Sequence, residues 1–95
     1  MRPIRFEWDK RKNRENLRKH RIDFEEARKV FAGAMTLWAD TRVEYGEERW
    51  IGVGRVADRT IVVVFSHPAA DRIRIISARK ALKWERQHYE KAISD

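Results

Sequence analysis

The spacing of hydrophobic and polar positions changes period several times along the chain, and each change marks an element. Ile4 to Trp8 alternates briefly, which predicts a short edge strand that stops at Asp9. Asp9 is a good N-cap for a helix over Lys10 to Lys19, whose one apolar residue is Leu17 and whose surface carries Lys10, Arg11, Lys12, Arg14, Arg18 and Lys19. A helix so polar must lie exposed. Asp23 followed by Glu26 resembles a capping box, with Ile22 and Ala27 placed as a hydrophobic staple, and opens a second helix that buries Phe24, Ala27, Val30 and Phe31 before ending near Gly33. From Met35 the period becomes two, with Met35, Leu37 and Ala39 set against Thr36, Trp38 and Asp40. A Tyr45-Gly46 turn leads into a strand over Arg49 to Val56, the loop Ala57-Asp58-Arg59 into Thr60 to Phe65, and a connection over His67 to Asp71 into Arg72 to Ser77. Loops this short predict an antiparallel meander. Ala78, Ala81, Leu82, Glu85, Tyr89, Ala92 and Ile93 then recur at helical spacing, predicting a last amphipathic helix. The order is β-α-α-β-β-β-β-α: an α+β fold in which helices pack on an antiparallel sheet.

Composition bounds what such a fold can do. Ninety-five residues suit one domain, 1–95, with a single core, and 42% hydrophobic residues, four of them Trp, argue for a folded chain despite 39% charged residues. Without cysteine there is no disulfide framework, thiolate metal site or thiol nucleophile. No apolar run approaches a membrane span and the charged N-terminus lacks a signal-peptide core, so a cytoplasmic protein with no membrane partner is expected. The net charge of +7 is uneven: residues 1–21 hold nine Lys/Arg and three acids, residues 22–48 three and seven, and residues 49–95 ten and five. Two basic ends flank an acidic middle, which suits a polyanion or an acidic protein as partner.

The densest chemistry lies in Arg72 to Lys80, where a β-branched strand is flanked by four cations. Alternation sets Ile73 and Ile75 on one face and Arg72 and Arg74 on the other, with Ser77 as the expected N-cap of the following helix. Guanidinium forks beside a helix N-terminus would attract a phosphate, although arginines on a strand can also serve only to solvate an outer face. His20, His67 and His88 have no metal-ligand spacing, and there is no glycine-rich phosphate loop, since Gly52 and Gly54 fall inside a strand on the face of Trp50, where they would allow close packing. RNA is a substrate that such a protein could cut without a metal, because its 2′-hydroxyl supplies the nucleophile and the protein need add only a base, an acid and cations. Arg49, Arg74 and Arg79 suit the cationic role; Glu48, beside Arg49, and His67, in a predicted loop, are candidate proton carriers, each with a bland reading as a solvated group. Trp8, Trp50 and Phe65 read as core, whereas Trp38 and Trp84 could stack on a base or a partner.

Phe6-Glu7-Trp8-Asp9, Lys12, Asn16, Lys19-His20, Asp23-Phe24-Glu25-Glu26-Ala27, Phe31, Gly46-Glu47-Glu48-Arg49 and Arg74-Ile75-Ile76-Ser77-Ala78-Arg79-Lys80-Ala81, with Glu85 and Tyr89, together resemble the BrnT family in order and spacing. The resemblance implies a RelE-like fold and a ribonuclease toxin of a type II toxin–antitoxin system that arrests translation and growth. It also implies a cognate BrnA antitoxin, operator DNA bound only through the toxin–antitoxin complex, and no cofactor. Carried onto matching positions, it favours Arg49, Arg74, Ser77, Arg79 and Glu48 as the active surface, with Lys12, Lys19, Arg72 and Lys80 as wider RNA contacts. Arg21 departs from the pattern, which has glycine there, and His67-Pro68 lies outside it. The competing expectation is a non-catalytic basic module that binds an antitoxin or nucleic acid; a DNA-reading protein ranks below both, since nothing resembles a recognition helix and the exposed first helix lacks the apolar stripe that a helix-turn-helix needs to seat it.

Overall fold

The computed structural model describes residues 3–94. In chain order the elements are β1 (Arg5–Glu7), α1 (Lys10–His20), α2 (Phe24–Ala27) continued by a 3₁₀ turn over Arg28–Ala32, β2 (Met35–Ala39), β3 (Trp50–Val56), β4 (Arg59–Ala69), β5 (Arg72–Lys80) and α3 (Lys83–Ile93). The strands form one sheet in the order β1-β5-β4-β3-β2. The meander from β2 to β5 is antiparallel as expected, while β1 joins the far edge parallel to β5, pairing Arg5, Phe6 and Glu7 with Arg72, Ile73 and Arg74. Among the described residues no helix is long and apolar enough to cross a membrane.

The sheet buries both faces, unequally. One carries the main core, in which Ile22, Phe24, Ala27 and Val30 of the α2 region meet Val56, Ile61, Val63, Phe65, Ile73, Ile75 and Ala78, with Phe6, Trp8, Phe31, Met35 and Trp50 packed around them. Gly52 and Gly54 serve close approach on this face, since a Cβ would run into Met35 and Phe65 at the first and Val30 at the second. The other face has a smaller cluster of Val53, Val62, Ala81 and Tyr89, with Trp38 and Ile51 beside it. Tyr89 reaches through to donate its hydroxyl to the Ala34 carbonyl at 2.9 Å, anchoring α3. The apolar stripe predicted for the last helix does not seat it: Leu82 and Ile93 are exposed, and within α3 only Glu85 and Tyr89 are buried.

Local chemistry explains the helix starts. Asp9 accepts from the Lys12 backbone N–H at 3.0 Å, and Asp23 from that of Glu25 at 2.9 Å. Glu26 does not reach back to complete a capping box; it pairs with Lys29 instead. Two expectations fail at β5 and β4. Ser77 caps no helix, because β5 runs on to Lys80 and α3 begins at Lys83, with Glu85 accepting from the Leu82 N–H at 2.8 Å. Likewise β4 continues to Ala69, so His67 sits on a strand rather than in a loop. In both cases pairing with the adjacent strand overrides the local preference of the sequence.

A bulge inside β5 sets which side chains share a face. Phe65 is opposite Ile75 but Val64 is opposite Ser77, so Ile76 is the extra residue. Strict alternation would have put Ser77 on the core face with Ile73 and Ile75. The bulge turns it over, leaving Ala78 on the core side and Ser77 and Arg79 with Arg72 and Arg74.

Leu17 does not seat α1, as it remains 43% exposed. Asn16 does so: buried, it accepts from the Ala78 N–H at 3.1 Å and donates to the carbonyls of Ala78 and Ile22, both at 2.9 Å. Its amide acts as a one-residue strand on the edge of β5 that three-residue β1 leaves uncovered. Asn16→Ala should therefore cost about 2–4 kcal/mol in chemical denaturation, because three buried backbone groups lose their partner, whereas Leu17→Ala should stay within about 1 kcal/mol. The helix then ends at Arg21, left-handed at φ 62° and ψ 28°, donating its N–H to the Leu17 carbonyl at 2.9 Å. That is the position where the sequence pattern has glycine. Arg21→Gly should raise stability by about 1 kcal/mol, seen as a higher denaturation midpoint.

Candidate active site

The face of the sheet that α3 only partly covers carries the cations of β5. Arg72, Arg74, Ser77 and Arg79 project there, opposite Ala69, Ser66, Val64 and Val62 of β4, and the 40–49 connection between β2 and β3 closes over one end. Charges alternate across this surface. Glu7 of β1 lies 3.4 Å from Arg72 and 2.8 Å from Arg74, Arg74 lies 3.6 Å from Glu47, and Glu47 lies 3.4 Å from Arg49. The Arg49 guanidinium ends the series 4.0 Å above the centre of the Tyr45 ring, with its side chain 20% exposed. Each arginine is thus oriented by carboxylates while retaining donors that a phosphate could use.

Two rigid pairs flank the series. Arg79 makes a two-pronged contact with Glu85 at 2.7 and 2.8 Å, and the Glu85 side chain is 3% exposed. Its hydrogen bonds with Arg79 hold the Glu85 carboxyl below the usual carboxylate range and raise the Arg79 guanidinium. Asp40 binds Arg42 in the same way at 2.7 and 2.8 Å, and those bonds bring its carboxyl down to about 2. Asp40 also donates its backbone N–H to the Arg49 carbonyl at 2.8 Å, tying the start of the connection to its end.

The two clefts nearest these groups share a wall. One of about 500 Å³ runs along the connection past Asp40, Arg42, Tyr45, Glu47, Glu48 and Arg49. The other, of about 460 Å³, is lined by Glu47, Glu48, Trp50, Ser66, His67 and Pro68. A smaller apolar hollow of about 410 Å³ between β1 and the 3₁₀ turn, lined by Phe6, Phe31 and Ile73, faces the opposite side of the sheet. Among the described residues no group of three or more His, Asp or Glu is disposed to hold a metal ion.

Of the residues singled out in the sequence, Arg49 and Arg74 come together through Glu47, and Ser77 sits half-buried between Arg74 and Arg79 on their face. Arg79 is tied to Glu85. Glu48 is exposed at the rim of both clefts, and Glu47 rather than Glu48 contacts the arginines. Lys12 and Lys19 are exposed on α1 and Lys80 at the end of β5, away from the charge series. Trp84 is 62% exposed, while Trp38 packs against the smaller core. Glu7, Tyr45 and Glu47 are the members that sequence reasoning missed as site residues. Glu47 had a signal, being one residue from Glu48 and two from Arg49; Glu7 had only its place in the family pattern, since its contacts depend on the register of β1 on β5.

A family model described as "Ribonuclease toxin, BrnT, of type II toxin-antitoxin system" matches residues 8–85, well over half the chain. The structure is similar to the 1.1 Å crystal structure of the Brucella abortus ribonuclease toxin BrnT, with a TM-score of 0.68 and 23% sequence identity over 84% of this chain and 99% of that one. At that identity the likeness is one of fold. No curated protein matches the chain.

The Arg79–Glu85 pair makes a stability prediction independent of activity. Arg79→Ala leaves a buried carboxylate without its partner and should cost about 1–3 kcal/mol at neutral pH, the exposure of Arg79 limiting the loss. Glu85 has a depressed folded value, so its contribution is present above the ordinary 4.5 and is lost as pH falls through the folded value. The gap between wild type and variant in thermal denaturation should accordingly narrow below about pH 4.5.

Proposed function

The chain belongs to the BrnT family of ribonuclease toxins of type II toxin–antitoxin systems, and from that premise we propose that it is a metal-independent endoribonuclease acting in the cytoplasm to block translation and growth. Arg49, Arg74 and Arg79 bind the scissile phosphate and neutralise charge that grows on its oxygens, and Ser77, between the last two, adds a hydroxyl donor. A carboxylate of the 40–49 connection accepts the proton of the 2′-hydroxyl, O2′ attacks phosphorus, and the bond to O5′ breaks. The products are a 2′,3′-cyclic phosphate and a 5′-hydroxyl. Lys12, Lys19, Arg72 and Lys80 lend general attraction for the RNA backbone. A BrnA-type antitoxin neutralises the toxin, and operator DNA is bound only through the complex.

The observation that carries this reading is the position of Arg74, shared at 2.8 and 3.6 Å between Glu7 and Glu47 beside an open cleft. Carboxylate oxygens there occupy positions that phosphate oxygens can take over, because a guanidinium fork can bind two oxygens of either a carboxylate or a tetrahedral phosphate. The rival, a basic module that binds without cutting, draws on the same cations and is separated by chemistry alone.

Arg74→Ala is the discriminating variant, since the side chain is 43% exposed and its loss strands no buried charge as the loss of Arg79 would. Purified protein free of antitoxin should cleave RNA equally with and without EDTA. The variant should lose about 100-fold or more in rate while keeping its fold and antitoxin affinity. Intact RNA after incubation with the wild type would sink the enzymatic reading, and a variant defective mainly in binding would favour the module.

A further inference from the structure

We infer that Glu47 and His67 form the general base and general acid of the cleavage step, with Ser66 as a donor to the phosphate between them. This rests on the ribonuclease reading and goes beyond it by assigning both proton transfers. The two residues come from different segments, the β2–β3 connection and the far end of β4, and they meet as walls of one cleft of about 460 Å³.

The other carboxylates near these cations are engaged elsewhere, apart from Glu48, which lines the same cleft but makes no arginine contact among the described residues. Glu85 and Asp40 are buried in two-pronged arginine pairs, and Glu7 is divided between Arg72 and Arg74. Glu47 touches Arg49 at 3.4 Å and Arg74 at 3.6 Å, contacts long enough to leave its oxygens free to accept again, and its side chain is 34% exposed toward the cleft. A phosphate drawn onto Arg49 and Arg74 therefore brings its neighbouring ribose hydroxyl against Glu47. His67 is exposed, with Nε2 3.2 Å from the Ala70 carbonyl. A carbonyl can only accept, so it keeps the Nε2 proton in place and leaves Nδ1 as the nitrogen that exchanges a proton with the cleft. Ser66 supports a ligand oxygen there: it is 2% exposed, its Oγ has no hydrogen-bond partner among the described residues, and it lies opposite Arg74.

The step balances. The 2′-hydroxyl proton passes to a Glu47 carboxylate oxygen as the O2′–P bond forms; the P–O5′ bond breaks and the leaving O5′ takes a proton from Nδ1 of the His67 imidazolium. Glu47 ends protonated and His67 neutral, and exchange with solvent through the open cleft restores both.

Replacing the scissile O5′ by sulfur separates the roles, because a thiolate leaves without protonation. On ordinary RNA, Glu47→Gln and His67→Gln should each lose about 100-fold or more in cleavage rate, with Glu90→Gln as an unaffected surface control and circular dichroism confirming that all fold. On the 5′-thio substrate His67→Gln should recover to near the wild-type rate and Glu47→Gln should not. Wild-type cleavage of RNA by either variant, or a His67→Gln defect that persists on the sulfur substrate, overturns the assignment while leaving the ribonuclease reading intact; a wild type that cuts neither substrate takes down both.

Discussion

The side-chain amide of Asn16 is the contact on which the rest of the molecule depends. β5 is bonded to β4 along one edge, but β1 covers only the start of the other, at Arg72 to Arg74. Beyond that the strand would present its peptide groups to solvent or to nothing. Asn16 supplies a donor and an acceptor to Ala78 and a second donor contact to the Ile22 carbonyl, which fixes α1, the turn after it and the outer edge of β5 in one place. A methyl-sized side chain at Ala78 lets the amide approach, and Ala78 is fully buried beneath it. A helix with almost no apolar surface is thereby held by polar geometry rather than by burial.

That anchoring matters because it lies on the same strand as the cations. With the backbone of Ala78 fixed and Ile76 accommodated as a bulge, Ser77 and Arg79 are directed to the face of Arg74, and Glu85 then holds Arg79 rigidly. The other half of the site is contributed by a connection whose two ends are tied by the Asp40–Arg49 backbone bond and whose middle is braced by Tyr45 under Arg49. One half is set by a strand locked on both edges, the other by a loop closed at its base.

Much of this was legible in the sequence because it rests on local rules. The Asp9 and Asp23 caps, the alternation of β2 and β3, the close packing at Gly52 and Gly54, and the division of Ile73 and Ile75 from Arg72 and Arg74 all follow from spacing and residue type. What escaped depends on distant partners. Ala78-Arg79-Lys80 has good helix propensity, and only the edge contact with Asn16 and pairing with Val63, Val62 and Ile61 make it strand. The family pattern singled out Asn16, yet its spacing within a polar helix did not reveal that it replaces a strand. Arg49, Arg74 and Arg79 were found as cations, but the carboxylates that orient them sit 67 residues away in the case of Glu7 and Arg74, and no periodicity carries register across that distance.

The alternating series from Arg72 through Glu7, Arg74 and Glu47 to Arg49 has a bearing on how ionic strength acts. The two glutamates are counter-ions built into the protein, so three arginines less two glutamates present a net charge of only +1 to a polyanion. On the proposed function, RNA bound here has less of its backbone charge neutralised and so releases fewer of its own condensed cations. Its association with this face should weaken with added salt less steeply than a net charge of +7 suggests, leaving the exposed cations of α1 to account for most of the salt dependence.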